Sequence, residues 1–338
     1  LEALSHPITI DGLVLGVRAS IGVSIAPLDG TDPSTLLKRA DVAMYSAKAT
    51  KRGVVSYNPQ IDHHTTRRLV LATELRQAVE AGDLEVWYQP IAELESGHVH
   101  AFEALLRWRH PDLGPVSPDE FIPVAEQTGL IEPLTWWVLG ESLRELRAWQ
   151  AEGYQMGVSV NVSTRSLLDS EVVDRLRRTL DQNGVAPSSL TLELTESSIM
   201  VEPDRAEQIL RRLADLDVRI AIDDFGTGYS SLSRLKRLPV QTVKIDRSFV
   251  RAMCTDEGDD AIVRTTIELA RNMGHTVVAE GIEDPHTWRR LADLGCDQGQ
   301  GYYLSPALPA VQCLGWLKRR QSPTLAVVRP IRDYARGA

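Results

Sequence analysis

Between residues 66 and 320, eight apolar strand-like runs alternate with stretches of helical periodicity, a pattern that predicts an α/β fold built as a (β/α)8 barrel of the TIM type. Two further observations refine that expectation. A turn of only Glu95-Ser96-Gly97-His98 joins the first two runs, so one strand should run antiparallel to the rest. Ahead of the barrel, residues 1–58 read as a small α/β fragment, too short to hold a convincing core of its own.

The fragment comes first in the chain. Val14 to Ile25 is strand-like, Pro27 to Thr31 is turn chemistry, and Pro33 opens a helix through Leu36, Leu37, Ala40, Ala43, Met44 and Ala47. Residues 59–66 are polar, carry Pro59, His63 and His64, and read as a linker into a helix from Arg67 to Ala81.

The barrel is expected over residues 67–320. Its strands fall at Val86–Ile91, Val99–Trp108, Met156–Ser163, Leu190–Ser197, Val218–Gly226, Thr242–Phe249, Thr276–Glu283 and Cys296–Ser305. Helical periodicity is clearest at Leu134–Gln150, Asp169–Gln182, Arg205–Leu216, Asp260–Asn272 and Pro285–Asp293. Residues 321–338 read as a flexible tail.

Composition narrows the function classes. With 43% hydrophobic and 25% charged residues the chain has the make-up of a globular protein with a sizeable core. Its net charge of −9 argues against polymeric nucleic acid or an anionic membrane as partner, because such surfaces need clustered Lys and Arg. No apolar run reaches the roughly 18 residues that cross a bilayer, so no membrane contact is expected from this segment. Cys254, Cys296 and Cys313 lack CxxC spacing and read as reduced thiols of a cytoplasmic protein. The chain opens at Leu1 without an initiator Met; a fragment is expected, with any sensor or membrane anchor lying upstream.

The polar residues that interrupt the strands carry the chemistry. Val158, Val160 and Val162 alternate with Ser159 and Asn161; Leu190, Leu192 and Leu194 with Thr191 and Glu193; Ile220 and Ile222 with Ala221 and Asp223; Val243 and Ile245 with Lys244 and Asp246. In a parallel barrel the apolar set faces the surrounding helices and the other set faces the axis. Glu103, Asn161, Glu193, Asp223, Lys244 and Glu280 then come from different strands and meet at the C-terminal rim, where barrels of this type keep their active sites. Converging carboxylates repel unless cations stand between them, and oxygen donors suit Mg²⁺ or Mn²⁺. Adjacent Asp223 and Asp224 offer a bridge between two ions, an arrangement that cleaves phosphodiesters. A single acid at a strand end is ordinarily a solvated residue or a helix cap; several at matching positions are not.

These residues also resemble a known family. Glu103-Ala104-Leu105-Leu106-Arg107-Trp108 is similar to the signature that names the EAL phosphodiesterases of cyclic di-GMP. Tyr88-Gln89-Pro90, Asn161-Val162-Ser163, Glu193-Leu194-Thr195-Glu196, Asp223-Asp224-Phe225-Gly226-Thr227-Gly228, Lys244-Ile245-Asp246, Ala279-Glu280-Gly281-Ile282-Glu283 and Gln300-Gly301-Tyr302 follow in the family's order. The resemblance implies hydrolysis of cyclic di-GMP to linear pGpG with two divalent cations. It implies Glu103, Asn161, Glu193, Asp223 and Asp224 as metal ligands, and Glu280 and Lys244 as catalytic groups. Glu196 joins the catalytic set by steadying the loop after Asp224. Gln89, Arg107, Asp246, Glu283 and Gln300 would lie on the substrate side, Glu283 in a supporting role, and a homodimer is a further family expectation. Ser20-Ile21-Gly22-Val23-Ser24 and Ala40-Asp41-Val42-Ala43-Met44-Tyr45-Ser46-Ala47-Lys48 resemble the last third of a GGDEF domain, the diguanylate cyclase fold, without its signature loop. Two alternatives stand beside this reading. One is an EAL domain that binds cyclic di-GMP as a silent receptor or scaffold; the other is a different barrel enzyme, such as an enolase-like lyase, that also sets carboxylates and a Lys at strand ends.

Overall fold

The computed structural model describes residues 8–10, 13–15, 19–50, 53–226 and 237–321. The expected tail beyond Gln321, and Thr227 and Gly228 of the acidic turn, lie outside them, while Gln321 itself ends a helix. The chain divides into two compact units, one of residues 1–81 with 119–125, the other of residues 82–118 with 126–338.

In the first unit, strands Ile21–Val23 and Val54–Ser56 pair in parallel, and helix Pro33–Thr50 covers them. Gly22 is what permits that cover, since a Cβ there would meet the backbone of Ala40 at 1.9 Å and of Met44 at 2.2 Å. Leu13–Leu15 pairs with Ile8–Ile10 in a separate antiparallel ribbon, so the single strand expected over Val14–Ile25 is in fact two short ones. The helix expected from Arg67 starts at Pro59 and runs to Ala81, through the stretch read as a linker. Proline at the first helical turn costs no hydrogen bond, which is why Pro59 opens a helix instead of breaking one.

The second unit is the barrel. Its strands are β1 (Leu84–Glu93), β2 (Val99–His110), β3 (Gly157–Asn161), β4 (Leu190–Thr195), β5 (Arg219–Phe225), β6 (Thr242–Ile245), β7 (Thr276–Ala279) and β8 (Gln298–Gly299). Each pairs with the next, and β8 pairs back to β1, which closes the ring. All neighbours are parallel except those of β1, antiparallel to both β2 and β8. The eight strands and the reversed first one are as the sequence predicts. Several strands end earlier than expected, because Glu196, Asp246 and the residues after Ala279 leave the ladder; Thr195, the last residue of β4, and Asp246 cap the helices that follow.

Alternation decides which way the barrel faces. Val158, Val160, Leu190, Leu192, Leu194, Ile220, Ile222, Val243 and Ile245 are all buried in one continuous apolar cluster with the surrounding helices. Burying each such side chain contributes about 1.5–3 kcal/mol. Trp149, from helix Ile131–Ala151, packs edge-on to Tyr88 with ring centroids 4.9 Å apart and lies 5.0 Å from Phe102, which locks that helix across β1 and β2. The helices carry their own start signals. Asp256 accepts hydrogen bonds from the amides of Gly258 and Asp259, and Asp284 from those of His286 and Thr287 ahead of Pro285. No described helix is long and apolar enough to cross a membrane.

The three cysteines are free thiols. Burial pushes Cys296 and Cys313 up to about 12, whereas Cys254 is exposed beside the His286 ring at 3.2 Å. A thiol reagent at pH 7.5 should therefore modify Cys254 alone in the native protein and all three after unfolding, as read by intact mass.

Candidate active site

The inward positions converge at the C-terminal ends of the strands. Register sets Glu103 beside Gln89 across β1 and β2, Asn161 beside Glu193, and Glu193 beside Ala221, one inward step before Asp223. Lys244 rises from β6, and Glu280 follows the last residue of β7. These side chains meet around one atom. The Lys244 ammonium lies 2.5 Å from Glu280, 2.6 Å from Glu193, 3.3 Å from Asp223 and 3.5 Å from Glu103. Four carboxylates, three from strands and Glu280 from just past the end of β7, thus share one cation.

Burial makes the cluster electrostatically demanding. Lys244 is 1% exposed. Burial opposes its charge, yet the four surrounding carboxylates hold its pKa well above the ordinary lysine value. Burial, and then the charges of Glu103 and Asp223, push Glu193 well above the carboxylate range. Burial lifts Glu280 to about 8 against the pull of Lys244. Glu103 goes the other way. Burial opposes its charge, but Lys244 and hydrogen bonds donated by Gln300 and Asn161 keep it below the usual value. One ammonium cannot neutralise four ionised carboxylates; the raised Glu193 and Glu280 pKa values express burial together with that imbalance, and further cations would relieve it.

The donor set fits hard divalent ions. It consists of carboxylates and the Asn161 amide, whose nitrogen donates to Glu103 at 2.8 Å and so leaves its oxygen for another partner. Gln300 donates to Glu103 at 2.6 Å and to Gln89 at 2.8 Å, and its buried oxygen has no partner among the described residues. Among those residues, no three His, Cys, Asp or Glu groups already stand in metal-holding geometry. The Lys244 ammonium occupies the middle.

Asp223 and Asp224 reach the site through an irregularity. A regular strand would turn two consecutive side chains to opposite faces, but the β5–β6 register shifts between Ile222 and Phe225. Asp224 takes a left-handed φ of 54° and donates its amide to the Asp223 carboxylate at 3.0 Å. A non-glycine residue there costs on the order of 1–3 kcal/mol, held by the surrounding ladder. Burial and the neighbouring Asp223 raise Asp224 to about 6. Gly281 makes a second special turn beside Glu280, with φ of 68°; a Cβ there would lie 2.5 Å from the Arg247 side chain.

The other expected residues lie around this centre. Asp246 interacts with Asp224 and caps helix Arg247–Ala252 through Ser248. Arg107 stands over Trp87, 5.9 Å from its ring centroid, with one nitrogen on the Leu106 carbonyl. Trp87 is a site neighbour that motif reading missed; its shared parity with Gln89 along β1 was the available signal. Glu283 is exposed and paired with Arg251, outside the Lys244 cluster. Glu196 is buried in the short helix after β4, and one of its oxygens lacks a partner among the described residues.

A closed eight-stranded barrel with an acidic, lysine-centred C-terminal rim places the chain among the barrels that keep their active sites at that rim, and comparison with known proteins narrows it to one family. The EAL domain family model matches residues 72–307, and the chain belongs to that family. The model for the diguanylate cyclase, GGDEF domain, matches residues 1–54. Cyclic di-GMP phosphodiesterase NbdA of Pseudomonas aeruginosa is 40% identical over 311 residues, covering 91% of this chain and 40% of that protein. Bifunctional diguanylate cyclase/cyclic di-GMP phosphodiesterase MucR of the same organism is 39% identical, covering 93% and 46%. The chain thus spans less than half the length of either. Among solved structures, the PaMucR phosphodiesterase in complex with c-di-GMP is 42% identical, with a TM-score of 0.70 over 72% of this chain and 99% of that one.

Proposed function

We propose that this barrel hydrolyses cyclic di-GMP to linear pGpG, with two divalent cations held by Glu103, Asn161, Glu193, Asp223 and Asp224. The observation that carries the reading is the Lys244 ammonium within 3.5 Å of four carboxylates at the ends of separate strands. Bound Mg²⁺ or Mn²⁺ would supply Lewis acidity toward the phosphate and a lowered pKa for the attacking water. Glu280, whose carboxyl pKa is raised by burial, would accept the proton that water loses once the charge of bound cations favours its anionic form. Lys244 holds Glu280 and Glu193 in place and balances charge as the phosphate enters. Arg107 offers a guanidinium to the second phosphate, and Gln300 and Gln89 a polar wall at the base. Glu196 supports the end of β5 from the short helix packed beside it, with Asp246 bracing Asp224 and Glu283 supporting from outside.

The names of the relatives support this substrate. Incubation with cyclic di-GMP and Mn²⁺ should release pGpG, detected by chromatography. A second reading, binding without turnover, draws on the ammonium standing where cations would have to sit. Tight cyclic di-GMP binding with no pGpG under any divalent ion would select that reading. We assign residues 1–58 to the GGDEF remnant, 59–66 to a connecting segment, 67–320 to the catalytic domain and 321–338 to a tail. Homodimerisation and a cytoplasmic location complete the proposal.

A further inference from the structure

The end of the barrel opposite the acids is hollow. A cavity of about 800 Å³ opens there, ringed by residues that begin strands, such as Arg219, Thr242, Thr276 and Gln298. Barrels of this type usually fill their axis with bulky branched side chains. Here the inward positions below the acids pair the branched Ile91 and Val278 with Ala101, Ser159, Thr191 and Ala221, and those four smaller side chains leave a bore that reaches up to Glu193 and Lys244.

The lining has a definite chemistry. Arg219 is exposed at the mouth and has no ion-pair partner among the described residues. His100 lies close enough to feel its charge. Burial lowers the His100 pKa, Gln298 hydrogen-bonds its ring, and its Nδ1 is buried without a partner among the described residues. A neutral imidazole whose other nitrogen donates leaves Nδ1 as an acceptor in need of a donor. The hydroxyls of Ser188, Thr242 and Thr276 add donors and acceptors around the wall.

We propose that this bore is a binding site for a small polyhydroxylated anion of the sugar-phosphate class, its phosphate on Arg219 and a hydroxyl donating to His100 Nδ1. The volume lies within the range of small-molecule pockets. Glu193 and Lys244 form the roof, so an occupant touches the catalytic cluster from beneath and acts as an effector instead of a substrate. That last consequence rests on the phosphodiesterase reading; the binding itself does not.

Calorimetry on the full chain, with ribose 5-phosphate as probe and ribose and inorganic phosphate as controls, tests the site. Ribose 5-phosphate should bind at least about tenfold more tightly than either control, since it alone engages both ends. Arg219→Gln and His100→Phe should each weaken it by about tenfold with unchanged circular dichroism. Thr276→Met, which fills the mouth, should abolish it. No binding up to about 10 mM, equal binding of inorganic phosphate, or undiminished binding by all three variants would overturn the proposal. Should His100→Phe fail to fold, Arg219→Gln at its exposed position decides alone. Turnover of cyclic di-GMP is not read in this experiment, so its result and that of the pGpG assay stand apart.

Discussion

Glu103→Ala is expected to abolish release of pGpG while the barrel stays folded. Glu103 is 5% exposed and accepts from Asn161 and Gln300, so its loss strips an oxygen donor from the centre of the site and costs each of those amides one hydrogen bond, Gln300 keeping its bond to Gln89. Weakening cation binding by several kcal/mol corresponds to roughly a thousandfold in rate or more. The structural cost is smaller. Removing one of four anions around a single ammonium relieves repulsion, which offsets the roughly 1–3 kcal/mol of lost hydrogen bonding. Product assays beside thermal unfolding check both halves, and EDTA should silence the wild-type chain in the same assay. Hydrolysis by the variant near the wild-type rate would remove Glu103 from the metal site.

Lys244→Met should be harmful in a different way. Methionine matches the lysine stem in bulk but carries no charge, so Glu103, Glu193, Asp223 and Glu280 are left in a buried site without their shared cation. Breaking a buried ion pair costs about 3–5 kcal/mol. The expected result is a large drop in denaturation midpoint without metal, and a larger rise on adding Mn²⁺ than the wild type shows, because divalent ions take over the missing charge. Activity should remain lost even when stability returns. A variant as stable as the wild type in EDTA would mean that the carboxylates are held by something other than Lys244.

Much of this site was legible in the sequence because alternation in a strand is strict. Once Val158 and Val160, Leu192 and Leu194, and Val243 and Ile245 were set facing the helices, Asn161, Glu193 and Lys244 had only the axis left to face. The short Glu95–His98 turn likewise admitted only an antiparallel β1. Three features escaped for physical reasons. Asp223 and Asp224 were read together, but not the register shift and left-handed residue that undo the alternation between them, since no residue type announces a bulge at an aspartate. The helix start at Pro59 was hidden because polar composition resembles a linker until its packing against helix Pro33–Thr50 is seen. The hollow below the acids depends on several small residues from separate strands falling in one layer, which is a property of register and not of any single run.

The reversed first strand changes where the polypeptide enters the barrel. In an all-parallel ring the chain arrives at the blunt base, far from the chemistry. Here Leu84 pairs with Trp108 and Gln89 with Glu103, so the chain arrives at the reactive mouth and runs down from it. Gln89, five residues along that strand, is tied to Gln300 and through it to Glu103, so the strand that starts at the mouth also touches the carboxylate cluster.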